Sequence, residues 1–398
     1  MIALPWLVLK LTNDALALGT VLALIGIPRA LFMLVGGVAS DRYTPRTVML
    51  VSDLLRLLLT VLLTAMILTS LVHLWMLYIL AIAFGVISGF FNPASGAMMP
   101  LLVNPEELAV SNSIYQGTSQ LSLFVGPVLA GGLIALFAHA KTGQGNEEMT
   151  GIAVAVAIDA LSFLISAATL WGIKLKAVVS NAVMRSGNLF ASIRAGIEYV
   201  WRDPLLRSMF ILMVAANFLF SGPMLVGIPV LADSRLAGGA AAYGTIMGAY
   251  GGGNLLGILI TGSLILWLNR WMGPFLVGVI VSFGVALGLM AVVQSTYAAF
   301  AILLVVGTGN GVLAITLITF LQRKTPQEML GRVMSLVQLA GVGLVPISQA
   351  LSGAMIKLSL SGLFFGAGIL MILVAVWLAG QPATRKINQV LAASAPEQ

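Results

Sequence analysis

Apolar runs of about 20 residues or more recur from one end of this chain to the other, and a run of that length is what a helix needs to cross a bilayer. They fall at 15–40, 47–71, 74–98, 109–138, 151–173, 208–232, 241–267, 273–293, 296–321, 329–357 and 360–380. Residues are 60% hydrophobic and only 8% charged, where soluble domains carry about a quarter charged residues. The chain therefore reads as an all-α membrane protein with no stretch left for a soluble domain. Ahead of the first run, "MIALPWLVLKLTND" has an apolar part too short to span. It also lacks the basic leader and small-residue cleavage site of a signal peptide. It is expected to be the second half of a truncated first helix, which makes the eleven runs the remainder of a set of twelve.

Several functions are excluded early. The chain has no cysteine, so no thiolate chemistry or cysteine metal site is available. His73 and His139 fall near loops, and neither is a candidate metal ligand or catalyst. With no serine-based constellation either, an enzyme is not expected, and neither a metal nor any other cofactor is.

The formal charge of +7 points to topology rather than to nucleic acid, because the basic residues are unevenly placed. One alternate set of loops and helix ends carries Arg42, Arg46, Lys174, Lys176, Arg185, Arg194, Arg202, Arg207, Arg270, Arg323, Lys324, Arg332, Arg385 and Lys386, and the other only Lys10, Lys141, Arg235 and Lys357. The first set is expected on the cytoplasmic side of the cell (inner) membrane, with the C-terminus inside.

The longest connection, 174–207, divides the chain. The expected organisation is an N-terminal bundle at 1–173, a cytoplasmic linker at 174–207, a C-terminal bundle at 208–381 and a tail at 382–398. Within the linker, Phe190, Ile193, Ile197 and Trp201 share one helical face and Arg194, Glu198 and Arg202 another, as in a helix lying on a membrane surface. A weak repeat supports duplication. "PEEL" at 105–108 and "PQEM" at 326–329 open two long runs at an offset of 221 that also aligns Gly132 with Gly353. Parallel duplication of six-helix halves is a transporter architecture, with a solute site between the halves near the midplane.

Gly37, Asp41, Arg42 and Arg46, between the first two full runs, resemble the G-x-x-x-D-R-x-x-R loop motif of the major facilitator superfamily. The segments "IALPWLVLKLT", "PRALFMLVGG", "SDLLR", "FFNPA", "GPVLAGG" and "YVWRDPLLR" resemble its drug:proton antiporter branch, which contains macrolide-efflux and enterobactin-exporter-type proteins. The resemblance implies a fold of two six-helix bundles and secondary efflux of an amphipathic small molecule by alternating access, driven by proton antiport. A siderophore or metabolite exporter, or a non-transporting protein of the same fold, is the alternative. The partners implied are a small-molecule solute, protons and lipid, with no nucleic acid, and a monomer is expected. The resemblance also implies that Asp41 meets the start of the 329–357 helix near Gly331 and Arg332, latching a cytoplasmic gate. Relatives often carry an arginine in the helix that corresponds to 74–98, which here has none.

Charges inside membrane helices cost several kcal/mol and are functional candidates by default. Four occur: Arg29, Asp53, Arg56 and Asp159. Asp53 and Arg56, three apart, can neutralise each other on one helix face. Arg29, about 18 Å from Asp41 along its helix, and Asp159 have no partner in their own helices. Asp159 is the candidate for proton coupling, since burial of a carboxyl raises its pKa.

In the 109–138 run, Gly126, Pro127, Gly131 and Gly132 resemble the G-P-x-x-G-G signature of facilitator antiporters with one residue inserted. Gly244, Gly248 and Gly252 form a second small-residue face suited to close packing. Candidate solute contacts are the deep aromatic and amide residues Phe90, Phe91, Asn92, Gln116, Gln120, Asn217, Phe218, Asn254, Asn310, Gln338 and Gln349, a lining suited to a bulky, mostly apolar solute.

Overall fold

A computed structural model of the protein describes residues 3–139, 147–173 and 189–381. Among these every regular element is helical: α1 (Ala3–Thr12), α2 (Ala15–Arg42), α3 (Pro45–Leu68), α4 (Leu74–Leu102), α5 (Leu108–His139), α6 (Glu147–Gly172), α7 (Leu189–Arg202), α8 (Pro204–Gly222), α9 (Ile228–Arg235), α10 (Gly239–Met290), α11 (Thr296–Lys324), α12 (Gln327–Gly343), α13 (Val345–Leu358) and α14 (Leu360–Gly380). The segment 174–188 and the tail 382–398, with Lys141, lie outside the described residues.

Local chemistry sets many of the boundaries. Asp14 starts α2 by accepting from the Leu16 N–H at 2.8 Å, and Asp203 starts α8 by accepting from Leu205 and Leu206. These contacts satisfy N–H groups that have no partner within the helix. Thr44 and Ser359 cap α3 and α14 in the same way, and Pro45 and Pro204 occupy the first helical position, where a missing N–H costs nothing.

The runs at 241–267 and 273–293 are two helical limbs of α10, as expected, separated by non-helical backbone at Trp271 (φ −121°, ψ 24°) three residues before Pro274. Two spans differ from the sequence expectation, those at 329–357 and 208–232. The run at 329–357 is broken at Leu344, just before Pro346, into α12 and α13. The run at 208–232 continues through a π-helical turn, Pro223–Gly227, into α9. Among the described residues, nine helical stretches are long and apolar enough to cross a membrane. The first limb of α10 and the α12–α13 pair occupy the two other expected spans.

In the first part of the chain α2 packs on α4, α3 on α4 and α6, and α5 on α6; in the second, α10 packs on α11 and α14, and α13 on α8 and α14. Two large contacts cross between these sets, α5 with α10 and α2 with α13. Helix α7 lies against α12 and α8. It uses the face of Gly196 and Val200, which are buried, whereas Ile197 and Trp201 of the expected apolar face are exposed. Trp201 meets Phe210 edge-on at 6.0 Å.

Candidate functional site: an interface closed at one end

The two crossing contacts share one end of the bundle, and both are built from glycine. A Cβ on Gly19 of α2 would lie 2.6 Å from the Gln349 carbonyl and 3.1 Å from Gly353 Cα of α13. A Cβ on Gly26 would overlap the Pro346 ring. Across the other contact, a Cβ on Gly131 of α5 would lie 2.5 Å from the Ala240 carbonyl and 2.8 Å from Gly244 Cα of α10. Backbones this close leave no room for a side chain, which is how small residues drive helix association in lipid. Gly248 and Gly252 continue the face against Val128 and Phe124. The repeat at offset 221 bears on the geometry too. Pro105 and Pro326 both precede the helices α5 and α12, and the far ends of α5 and α13 make the two contacts.

Charged groups at the same end tie the halves further. Lys10 of α1 pairs with Asp233 of α9 at 2.8 Å and with Glu148 of α6 at 3.3 Å. Lys357 of α13 pairs with Asp14 at 3.1 Å. The Trp6 indole donates to Glu148 at 2.8 Å, stacks on Tyr243 of α10 at 6.2 Å, and carries the Lys10 ammonium 5.1 Å from its ring centre. Gly238, at φ 103°, makes the left-handed turn into α10 that seats Gly239 beside Trp6. Arg235 donates to the Ala291 carbonyl at 2.7 Å and to Ser361 at 2.8 Å, binding the ends of α9, α10 and α14 together. For Asp14, burial pushes the carboxyl up, but the hydrogen bond from Lys357 and the Leu16 N–H outweigh it and hold it below the ordinary 3.8. Sequence reading counted Lys10 and Lys357 only as outer-side charges. The signal for more was the acidic residues Asp14, Asp233 and Glu148 placed at the same end.

The opposite end is open. From Asn112 to Phe124 every residue of α5 is exposed except Gln120, which is half-buried. A helix packed on both sides cannot show that pattern, so one side of α5 faces an opening. Gly37, Gly96, Gly117 and Gly341 have nothing within 4 Å of where a Cβ would stand. Arg46 from the loop motif donates to the Leu170 and Trp171 carbonyls at 2.7 and 2.5 Å. It therefore caps the C-terminal end of α6 within its own half, a favourable place for a cation. Arg42 and Arg332 are exposed, and Arg332 donates to the Met329 sulfur at 3.6 Å. The side chain of Asp41, and with it the expected latch to Gly331, lies outside the described residues.

Of the four intramembrane charges, three cluster. Asp53 accepts from Ser166 of α6 at 2.6 Å and stands 3.5 Å from Arg56. Arg56 donates to Ser88 of α4 at 3.2 Å and lies 4.3 Å from the Phe91 ring and 5.7 Å from Phe163. The pair thus ties α3 to α4 and α6, and Asp159, on the exposed side of α6, acts electrostatically on Arg56. Arg29 stands apart. It has no hydrogen bond or ion pair among the described residues, and its Nε is buried.

The solute candidates divide by position. Asn92, Gln116 and Gln338 are exposed and Phe90 and Gln120 half-buried. Counted from the open ends of their helices, they lie about 12–18 Å deep. Phe90 meets Phe32 at 5.9 Å, whereas Phe91 is turned onto Arg56. Asn217 donates to the Met213 carbonyl of its own helix, and the Phe218 carbonyl accepts from Ser348. Asn254 is buried and bonded to Tyr250. Gln349 is buried at the closed end, and Asn310 is half-buried in α11. Within the antiporter-like signature, Gly131 and the Pro127 carbonyl face α10, while a Cβ on Gly126 or Gly132 would meet nothing within 4 Å.

Known proteins share both sequence and fold. The chain is 26% identical over 396 residues to the multidrug efflux pump Tap of Mycolicibacterium fortuitum, covering 97% of this chain and 92% of that protein. It is 27% identical over 398 residues to the enterobactin exporter EntS of Escherichia coli, covering 95% and 88%. In fold it is similar to a crystal structure of a POT peptide transporter (TM-score 0.66, 12% identity, 98% of this chain and 92% of that one). It is also similar to a bacterial homologue of the iron transporter ferroportin in an inward-facing state (TM-score 0.62, 18% identity, 96% and 95%). The Major Facilitator Superfamily model matches residues 1–347, and the chain belongs to that family of multi-pass membrane transporters, which are not enzymes.

Proposed function

We propose that the protein is an efflux transporter of the cell (inner) membrane that exports an amphipathic small molecule by alternating access between an N-terminal bundle (1–173) and a C-terminal bundle (208–381). The observation that carries this reading is the asymmetry of the interface. Glycine backbones and ion pairs close it at the Lys10–Asp233 end, and it is open at the Arg42–Arg332 end. The excess of Lys and Arg at the open end makes that end cytoplasmic, so a solute enters from the cytoplasm and meets the amide and aromatic layer partway down. The relatives named as a multidrug pump and an enterobactin exporter support a drug or siderophore-like cargo of macrolide-like bulk. Asp41 latches the inner gate in the alternate state, so Asp41→Asn alters switching rate more than solute affinity.

Proton antiport is the drive, with Asp159 as the coupling carboxyl beside Arg56. Asp159→Asn abolishes the pH dependence of transport; retention of that dependence removes Asp159 from the mechanism. The export reading is tested by expressing the chain in a drug-hypersensitive host and measuring accumulation across a panel of fluorescent amphiphiles. Lowered accumulation of at least one, reversed by an uncoupler, is expected. No lowering across the panel contradicts export.

A further inference from the structure

Arg29 poses a problem that the fold does not answer. It sits in α2 about 20 Å from the open end of that helix, three residues beyond Gly26, which packs against Pro346 of the closed contact. It is therefore at the floor of the open side. The other intramembrane arginine, Arg56, has Asp53, Ser88, two aromatic faces and the field of Asp159. Arg29 has none of these. No carboxylate pairs with it among the described residues, and its Nε is enclosed without an acceptor.

A guanidinium is charged at every physiological pH and offers five donors in a rigid fork. At membrane depth such a group faces a cavity and takes a partner. Among the described residues none supplies an anion for it, and the partly exposed side chain leaves its outer donors accessible. One turn along the same helix, Phe32 stands 5.9 Å from Phe90, where α2 and α4 come into backbone contact between the Arg29 carbonyl and Gly89. A fixed cation one helical turn from an aromatic pair, on the same helix face, suits a flat or bulky apolar body that carries an acid.

We propose that Arg29, with Phe32 and Phe90, forms a subsite for the anionic group of the exported solute, so that the cargo is an amphipathic carboxylate, catecholate or similar oxyanion. This rests on the export reading and narrows it from drug-like amphiphiles in general to anionic ones.

The test uses two fluorescent dyes of one scaffold, a carboxylated rhodamine and its methyl ester, titrated onto the purified full chain and followed by fluorescence polarisation. A charge-assisted hydrogen bond corresponds to about a tenfold to a hundredfold preference for the carboxylate. Arg29→Gln is expected to abolish the preference while leaving ester binding unchanged, and Arg29→Lys to restore part of it, which separates charge from folding. A preference for the ester, or equal binding of both dyes that Arg29→Gln does not alter, overturns the anion subsite and leaves the export reading standing. Binding of neither dye counts against both.

Discussion

Lys10 of α1 and Asp233 of α9, 223 positions apart, form an ion pair at 2.8 Å that joins the two parts of the chain at the closed end of the interface. The pair is one member of a cluster in which Lys10 also reaches Glu148 and covers the Trp6 ring. Each such partly exposed pair contributes about 0.2–1 kcal/mol. Lys10→Ala is therefore expected to move the closed-to-open ratio about two- to fivefold toward opening, without unfolding the protein. Because the natural chain has no cysteine, the labelling rate of a single cysteine introduced at Thr20 reads this directly, and an unchanged rate contradicts a gating role for Lys10.

The second pair, Asp14 with Lys357, sets a pH dependence. The Asp14 carboxyl is held below its ordinary 3.8, so its contribution is fully present above that value and is lost as pH falls through the depressed one. The melting temperature of the wild type is expected to exceed that of Asp14→Asn at about pH 6, and the gap to close toward about pH 3. A gap that persists at low pH would show that the N-cap geometry, not the charge, is what stabilises.

Within one signature the glycines differ. Gly131→Ala places a methyl 2.5 Å from the Ala240 carbonyl, and overpacking of this kind costs about 1–3 kcal/mol. Gly126→Ala and Gly132→Ala meet open space and are expected to be silent. Transport by the three variants in one assay checks the contrast; equal loss in all three would remove the packing explanation.

The buried Asp53–Arg56 pair gives a stability prediction. Removing one partner leaves the other charge uncompensated, at about 3–5 kcal/mol. Asp53→Asn alone is expected to lower the melting temperature in detergent more than Asp53→Asn combined with Arg56→Gln. A double variant that is worse than the single one contradicts the pairing.

Much of the fold was legible because it follows from local rules. Apolar length gave the spans, and the Asp14, Thr44, Asp203 and Ser359 caps sit where short polar residues precede apolar runs. The turn between the two limbs of α10 was legible from Arg270 between the apolar runs, and the backbone leaves helical geometry beside it at Trp271, whereas the break at Leu344 was not, because the apolar run continues past it. At the site, the helical period already separates Gly131 from Gly126 and Gly132, as residues four apart share a face and adjacent ones do not. The partner of Lys10 carried no such local signal, because cross-half ion pairs are fixed by tertiary geometry alone. Arg29 was visible as an intramembrane charge, but its isolation was not.

The central claim is that one end of the interface closes while the other opens. It is tested most directly by spin-label distances in liposomes, using cysteine pairs at the exposed positions Leu71 and Tyr297 for the closed end and Tyr43 and Gln322 for the open end. Under turnover with an exported solute and an imposed proton gradient, the Leu71–Tyr297 distance is predicted to lengthen in the same population in which Tyr43–Gln322 shortens. Two distances that stay fixed, or that change in the same direction, would contradict alternating access.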